Sequence, residues 1–404
     1  MPSFLSWIDH DSDARDRALR ILSLFQERES RDELGIGSIR DAFADTLFPG
    51  TSTVQTHLKY MLFVPWIYME LEKQRVTAPK FAAKARQMEM GLVKPLQEAG
   101  EDQGVFGSEA GEKLKRLASS IYWNGLEMWG IRLISCSQDE YHRHIDEIYR
   151  LRDLKRRRPE KEDSSEGQVW TWHPKIPEVP QDLNAYAKKM GFLLTWEESS
   201  FILDRLLESQ KESLLTRLAL NCQPVECAFP WQHPEKKSFN PSHQELLDYA
   251  ELFSTVMHGA ALLYNYMLAE LDKRETLQEE HQENLQNWKE KLATCQNIGL
   301  PLDRLWGLTA GRGHTITGRT RNFVTDWYKR VLETKGDVIN DPECRNLVES
   351  REKKLKGLRS RFTNKRAMEQ WSGHAGARQL SYRWHNVKTL LKDLYTGLKG
   401  STHA

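Results

Sequence analysis

The chain has 404 residues, room for two or three domains, with 39% hydrophobic and 28% charged residues and a formal net charge of +1. Its 13 Trp, 12 Tyr and 14 Phe exclude a disordered chain, and no apolar run approaches the ~18 residues of a membrane span. Composition also excludes a collagen-like or disulfide-stapled secreted fold, since the five cysteines are odd in number and mostly far apart. The acidic start, MPSFLSWIDHDSDARDR, lacks the basic head of an export signal, so the expected location is a reducing cytoplasm.

Apolar periodicity of the helical kind dominates, and the expected fold is mostly α, a multi-helix body with a helix-turn-helix-like N-terminal unit and few short strands. The divisions expected are an N-terminal helical domain over 1–150, a linker or exposed loop over 151–167, a central helical domain over 168–300, and a basic helical region over 301–404. In DELGIGSIRDAFADTLFPGTSTVQTHLKYMLFVPWIY, Ile39, Phe43 and Leu47 lie on one helical face, and Phe48-Pro49-Gly50 ends that helix. Thr51 or Ser52 is then expected to cap a second helix with Val54, Leu58 and Met61 or Leu62 inward. Thr53, Gln55, Thr56 and Lys59 would face outward, the outline of a helix lying in a DNA major groove. A plain helical hairpin fits the same spacing. Pro65 is expected to kink or end the helix, with Trp66 and Tyr68 as core aromatics. GEKLKRLASSIYWNGLEMWGIR repeats the texture, and its Tyr122, Trp123 and Trp129 read as core.

The segment after Arg150 turns from Lys155–Arg158 to an acidic, Ser-containing stretch with almost no apolar content, the mark of a solvated loop. VWTWHPKIPEVP is extended because its prolines forbid a helix. The strongest helix runs through Leu246, Ala250, Phe253, Met257, Ala260, Tyr264, Met267 and Leu271, with Ser242 and Glu245 as its expected capping box. Glu270 to Lys291 is expected to continue it as an exposed extension.

Charge is distributed unevenly. From Arg304 to Lys399 there are 21 Lys and Arg against 9 Asp and Glu, a balance of +12, which leaves −11 for the remainder. A basic region on an acidic body points to an anionic partner, nucleic acid above all, or to pairing with acidic groups of its own or of another protein. Two features concentrate this charge. The loop GRGHTITGRTRNFVTDWYKR offers Arg312, His314, Arg319 and Arg321 among glycines and threonines, the mixture of forks, hydroxyls and open amides that holds phosphate. It is not a P-loop, since GxxxxGK[ST] is absent. Beyond it, Arg359, Arg361, Lys365, Arg366, Arg378 and Arg383 are expected to share one face that neutralises a nucleic-acid backbone.

Catalytic patterns are sparse. Arg378 and His385, separated by six intervening residues in an expected helix, resemble the Arg and His pair of a superfamily of helical ribonucleases, which implies a metal-independent RNA cleavage. Cys222, Cys227 and His233 lack a fourth zinc ligand. His142 and His144 do not share a helical face, and His258 reads as a hydrogen-bonded core histidine. No cofactor signature is present.

DELGIGSIRDAFADTLFPGTSTVQTHLKYMLFVPWIY, together with LKRLASSIYWNGLEMWGIR, FSTVMHGAALLYNYMLAE and SYRWHNVKTLLKDLYTGL, resembles an uncharacterised bacterial domain-of-unknown-function family over nearly the whole chain. That resemblance implies a neighbourhood of helicases and phage-defence or mobile-element genes and supplies no catalytic residues. The resulting expectation is a non-catalytic DNA-binding or scaffolding subunit of an anti-phage complex, without a membrane segment. The rivals are an adaptor docking an acidic helicase or nuclease, and the ribonuclease.

Overall fold

A computed structural model describes residues 32–156, 169–221, 223–311 and 313–400. The described chain is mostly helical. Its helices begin with α1 (Gly37–Leu47), α2 (Tyr60–Lys73), α3 (Ala78–Gly91), α4 (Val93–Glu98), α5 (Ala118–Met128) and α6 (Gln138–Arg156). There follow α7 (Leu183–Met190), α8 (Trp196–Ser209), α9 (Leu214–Asn221), α10 (Pro241–Leu271) and α11 (Glu275–Thr294). The last are α12 (Leu302–Leu308), α13 (Gly318–Thr334), α14 (Pro342–Lys356), α15 (Lys365–Glu369) and α16 (Trp384–Lys399). In place of the expected short strands, the described residues hold one isolated antiparallel bridge between Arg132 and Trp172, the latter in the proline-bounded extended piece. Among them no helix is long and apolar enough to cross a membrane.

Two compact units interleave in sequence. One consists of Leu47–Glu226 with the C-terminal segment from Arg383; the other pairs residues 32–46 with Cys227–Tyr382. The consecutive divisions expected from composition run along the chain, whereas these units are each assembled from separated segments.

The first unit is built around α2, in which every residue from Tyr60 to Tyr68 is buried. A helix apolar on all sides belongs at the centre of its unit. Pro65 neither ends nor interrupts the element, which continues to Lys73. Tyr68 is ringed by Trp123, Tyr141 and Trp172 at centroid separations of 5.3, 5.6 and 5.8 Å. One turn on, the buried Glu72 carboxylate accepts from Trp172 Nε1 at 2.7 Å, Thr171 Oγ1 at 2.8 Å and the Tyr141 hydroxyl, and pairs with Arg152 at 2.7 Å. At the other end of α2, Lys59 Nζ meets Glu198 at 2.6 Å and donates to Leu193 O at 2.9 Å, while Tyr186 Oη donates to Glu198 at 2.6 Å. Burial lowers the Lys59 pKa against the opposing pull of Glu198. The C-terminal helix α16 returns to this unit, where Val387, Leu390, Leu391 and Leu394 are buried and it packs on α8.

The second unit is organised by α10, capped by Asn240, whose side chain accepts from His243 N, with Pro241 in the first turn. The cap stands two residues before the expected Ser242, and Glu245 pairs with Arg304 instead of closing a box. The charged stretch after it is not an extension. The chain turns at Lys273, φ +55°, and α11 folds back on α10 through buried His281, Leu285, Trp288 and Leu292. Trp288 Nε1 donates to Thr255 O at 2.7 Å, and its ring occupies the space where a Cβ on Gly259 would stand. Three apolar residues at i, i+3 and i+7 thus decide the fate of a helix that is polar elsewhere.

Lys59→Ala should destabilise the protein by about 3–5 kcal/mol in urea unfolding, because it strands the Glu198 carboxylate out of water. A loss under about 1 kcal/mol would show that the pair contributes little. His258, hydrogen-bonded to Ala377 O at 3.0 Å, has its pKa lowered to about 4 by burial, against the raising effect of that bond. Its folded value lies below its unfolded one, so its stabilising contribution is complete above pH 6.5 and is lost as pH falls towards 4. His258→Gln should therefore remove roughly 2–3 kcal/mol of the stability difference between pH 7 and pH 4.5.

Candidate anion-binding cleft

The basic run after α14 is shaped by local breaks. Gly357 adopts φ +53°, which ends α14, and a single tight turn, Gly357–Arg359, leads to Ser360. Asn364 then caps the short α15 by accepting from Ala367 N at 3.0 Å. Between these breaks lies a cleft of about 410 Å³ lined by Lys356, Arg359, Arg361, Asn364, Arg366 and Gln370, with Glu33 and Glu352 also on its wall.

Its floor is a closed polar network. Glu33 accepts from Arg361 Nη1 at 2.8 Å and lies 3.0 Å from Lys356 Nζ. The same Arg361 nitrogen donates to Tyr264 Oη at 2.8 Å. Glu352, fully buried, accepts the Arg361 backbone N–H at 2.9 Å and the Ser360 hydroxyl. Burial works against the Arg361 charge, yet Tyr264 and Glu33 outweigh it and raise its pKa. Burial also raises the Tyr264 pKa, which keeps the phenol protonated. Both carboxylates are thereby committed to partners inside the protein. Arg359 and Arg366 are exposed, with no ion pair among the described residues, and Lys365, next to Arg366 in sequence, is exposed as well. The cleft therefore carries net positive charge at its mouth.

Arg351 braces this site from behind. It is buried and donates to Leu34 O at 2.8 Å, Gly35 O at 3.0 Å and Thr320 Oγ1 at 2.9 Å, tying the strip that carries Glu33 to the start of α13. In the Gly-Arg loop, Arg312 lies outside the described residues. His314 Nε2 is bound to Asp45 Oδ2 at 2.9 Å, and Arg321 lies over the Trp306 ring at 5.6 Å. Thr317 caps α13, and Arg319 is exposed in its first turn. Arg378 is exposed on a non-helical segment, and Arg383 belongs to the other unit, where it donates to Thr51 O at 2.7 Å. Of the six late cations expected on one face, Arg359, Arg361 and Arg366 line the cleft; Arg361 faces inward and is consumed by the floor.

The helix-turn-helix expectation is not met. Residues 51–59 are not helical, because their polar groups close local turns instead: Gln55 donates to Gly50 O and accepts from Ser52 N, each at 3.1 Å. Gln55 is 1% exposed and Lys59 0%, Thr56 donates to Gly104 O at 2.8 Å, and Thr53 alone of the four is exposed. No recognition helix presents them. The expected helix joining Arg378 to His385 is also absent, since Tyr382 and Arg383 both take positive φ and α16 starts only at Trp384. His142 and His144 are engaged separately, with Tyr68 Oη at 2.8 Å and Glu147 at 3.3 Å. Cys222 lies outside the described residues, among which no group of three or more His, Cys, Asp or Glu is arranged to hold a metal ion.

The sequence profile of a family of unknown function, DUF6361, matches residues 2–397. The chain belongs to that family. No curated protein and no solved structure matches it. In this DUF6361 chain, sequence reasoning missed Glu33, Tyr264, Glu352 and Lys356. Glu352 and Lys356 stand one turn apart on α14, a visible signal. Glu33 and Tyr264 carry none, being brought in from distant segments.

Arg361→Ala should cost about 3–5 kcal/mol in chemical unfolding by leaving Glu33 and the Tyr264 hydroxyl without their shared donor. Arg359→Ala should stay within about 0.5 kcal/mol of the parent. Equal losses from the two would contradict the division between floor and rim.

Proposed function

We propose that this DUF6361 protein is a non-catalytic nucleic-acid-binding protein that holds the phosphodiester backbone at the cleft of the second unit. The setting proposed for that role is the one implied by the sequence resemblance, a DNA-acting bacterial defence complex with a helicase or nuclease partner. The observation that carries the reading is the contrast within the cleft. Its two carboxylates are already satisfied by Arg361, Lys356 and Ser360, while the guanidinium groups of Arg359 and Arg366 stand free at the rim. A guanidinium fork matches two phosphate oxygens, and each phosphate neutralised releases condensed counterions. Lys365, exposed and next to Arg366 in sequence, adds a point charge, and Arg319, exposed on the same unit, offers a further backbone contact.

Nothing in this constellation favours one base edge over another, so binding is expected to be insensitive to sequence and steeply dependent on salt. Replacing Arg359, Lys365 and Arg366 together by Ala should weaken duplex binding in a gel-shift series by about 10–100-fold and flatten the log–log salt slope by about two to three. Circular dichroism should show an unchanged fold, since all three side chains are exposed. A triple variant that binds as tightly as the parent would remove the cleft from the account.

A further inference from the structure

The turn that forms one lip of the cleft carries a feature that charge alone does not explain. Leu358 is 92% exposed, and Leu355, one turn before it on α14, is 42% exposed. No other large apolar side chain among the described residues stands so far into water as Leu358. It contributes nothing to the core, and its neighbours in sequence are cationic: Lys354, Lys356 and Arg359 flank it, and the last two line the cleft together with Arg366.

The turn beneath it is fixed. Gly357 supplies the left-handed bend, and the Leu358 carbonyl accepts from Asn364 Nδ2 at 2.7 Å. Ser360 N donates to Gly357 O at 3.0 Å, and the Ser360 hydroxyl is anchored on buried Glu352. An apolar side chain held outward on a braced turn loses little conformational freedom on insertion into a partner.

We infer that Leu358 is a wedge that enters between adjacent base pairs of duplex DNA while Arg359, Lys365 and Arg366 hold the neighbouring phosphates. This rests on the backbone-binding reading of the cleft and adds to it the form of the ligand, a kinked duplex. Proteins that kink DNA combine these two elements: an aliphatic wedge that unstacks one step, and cations that hold the backbone on either side. Charge complementarity selects this partner, because the leucine directly precedes Arg359, which with Arg366 lines the cleft and has no ion pair among the described residues. A lipid surface asks for a broad apolar face, and here a single fully exposed leucine with one half-exposed neighbour is offered.

A duplex with one unpaired bulged nucleotide is already unstacked at a known place, so a wedge should prefer it. The full chain is expected to bind a bulged duplex of about 30 base pairs roughly tenfold more tightly than its perfect counterpart, and to shorten the end-to-end distance of the perfect one by energy transfer. Leu358→Ala should bind both duplexes alike, lose the shortening, and weaken perfect-duplex binding by about tenfold or less. Arg359→Ala should weaken both duplexes equally and leave the preference intact.

The wedge is overturned, with the cleft reading left standing, if the parent binds both duplexes equally and keeps them straight, or if Leu358→Ala retains the preference. It is also overturned if Leu358→Ala abolishes binding to phosphatidylglycerol vesicles without changing either duplex measurement. Failure of the parent chain to bind either duplex would remove the cleft reading and the wedge together.

Discussion

A carboxylate withdrawn from water must be met by donors that the fold itself provides. Both units of this protein are arranged around that requirement. In the first, Glu72 collects a phenol, an indole, a hydroxyl and a guanidinium from α6 and the bridge segment, and Glu198 collects the ammonium of Lys59 and the phenol of Tyr186. In the second, Glu33 and Glu352 are held by Arg361, Lys356 and Ser360. Each network joins segments far apart in sequence. Each therefore acts as a register pin: a helix that slid by one turn would leave a buried charge without its partner.

The same requirement sorts the cations into two populations. Lys59, Arg351 and Arg361 are interior parts, bound to carboxylates or to backbone carbonyls, and they have no charge to offer a ligand. Arg359, Lys365 and Arg366 stand outside the network, within a few residues of Arg361. The cleft exists because the floor is neutralised from below, which leaves its rim positive. Had Glu33 and Glu352 remained unsatisfied, they would have competed for Arg359 and Arg366, and the surface would have been a closed set of ion pairs.

Helical periodicity made most of the elements legible. The stripe from Leu246 to Leu271 became α10, and the break at Phe48-Pro49-Gly50 fell where α1 ends. The failures have particular causes. Gln55 and Thr56 look like the outward face of a helix, but Gln55 bonds the backbone of Gly50 and Ser52 and closes a turn, while the Thr56 hydroxyl goes to the distant Gly104 carbonyl. The stretch from Glu275 to Thr294 looks solvated because three apolar residues are few among so many charges, yet Trp288 alone fills the gap left by Gly259.

By itself the sequence determined the helical class, the aromatic weight of the core and the excess of positive charge in the last third, because periodicity and composition are properties of the chain alone. Which of those charges remain available was decided only by tertiary structure. Arg359 and Arg361 are two residues apart and chemically identical, and one is free while the other is consumed. The difference lies in Glu33 and Tyr264, which reach Arg361 from remote segments. No local pattern encodes the meeting of groups separated by hundreds of residues, and it is that meeting that sets the cost of burying a charge.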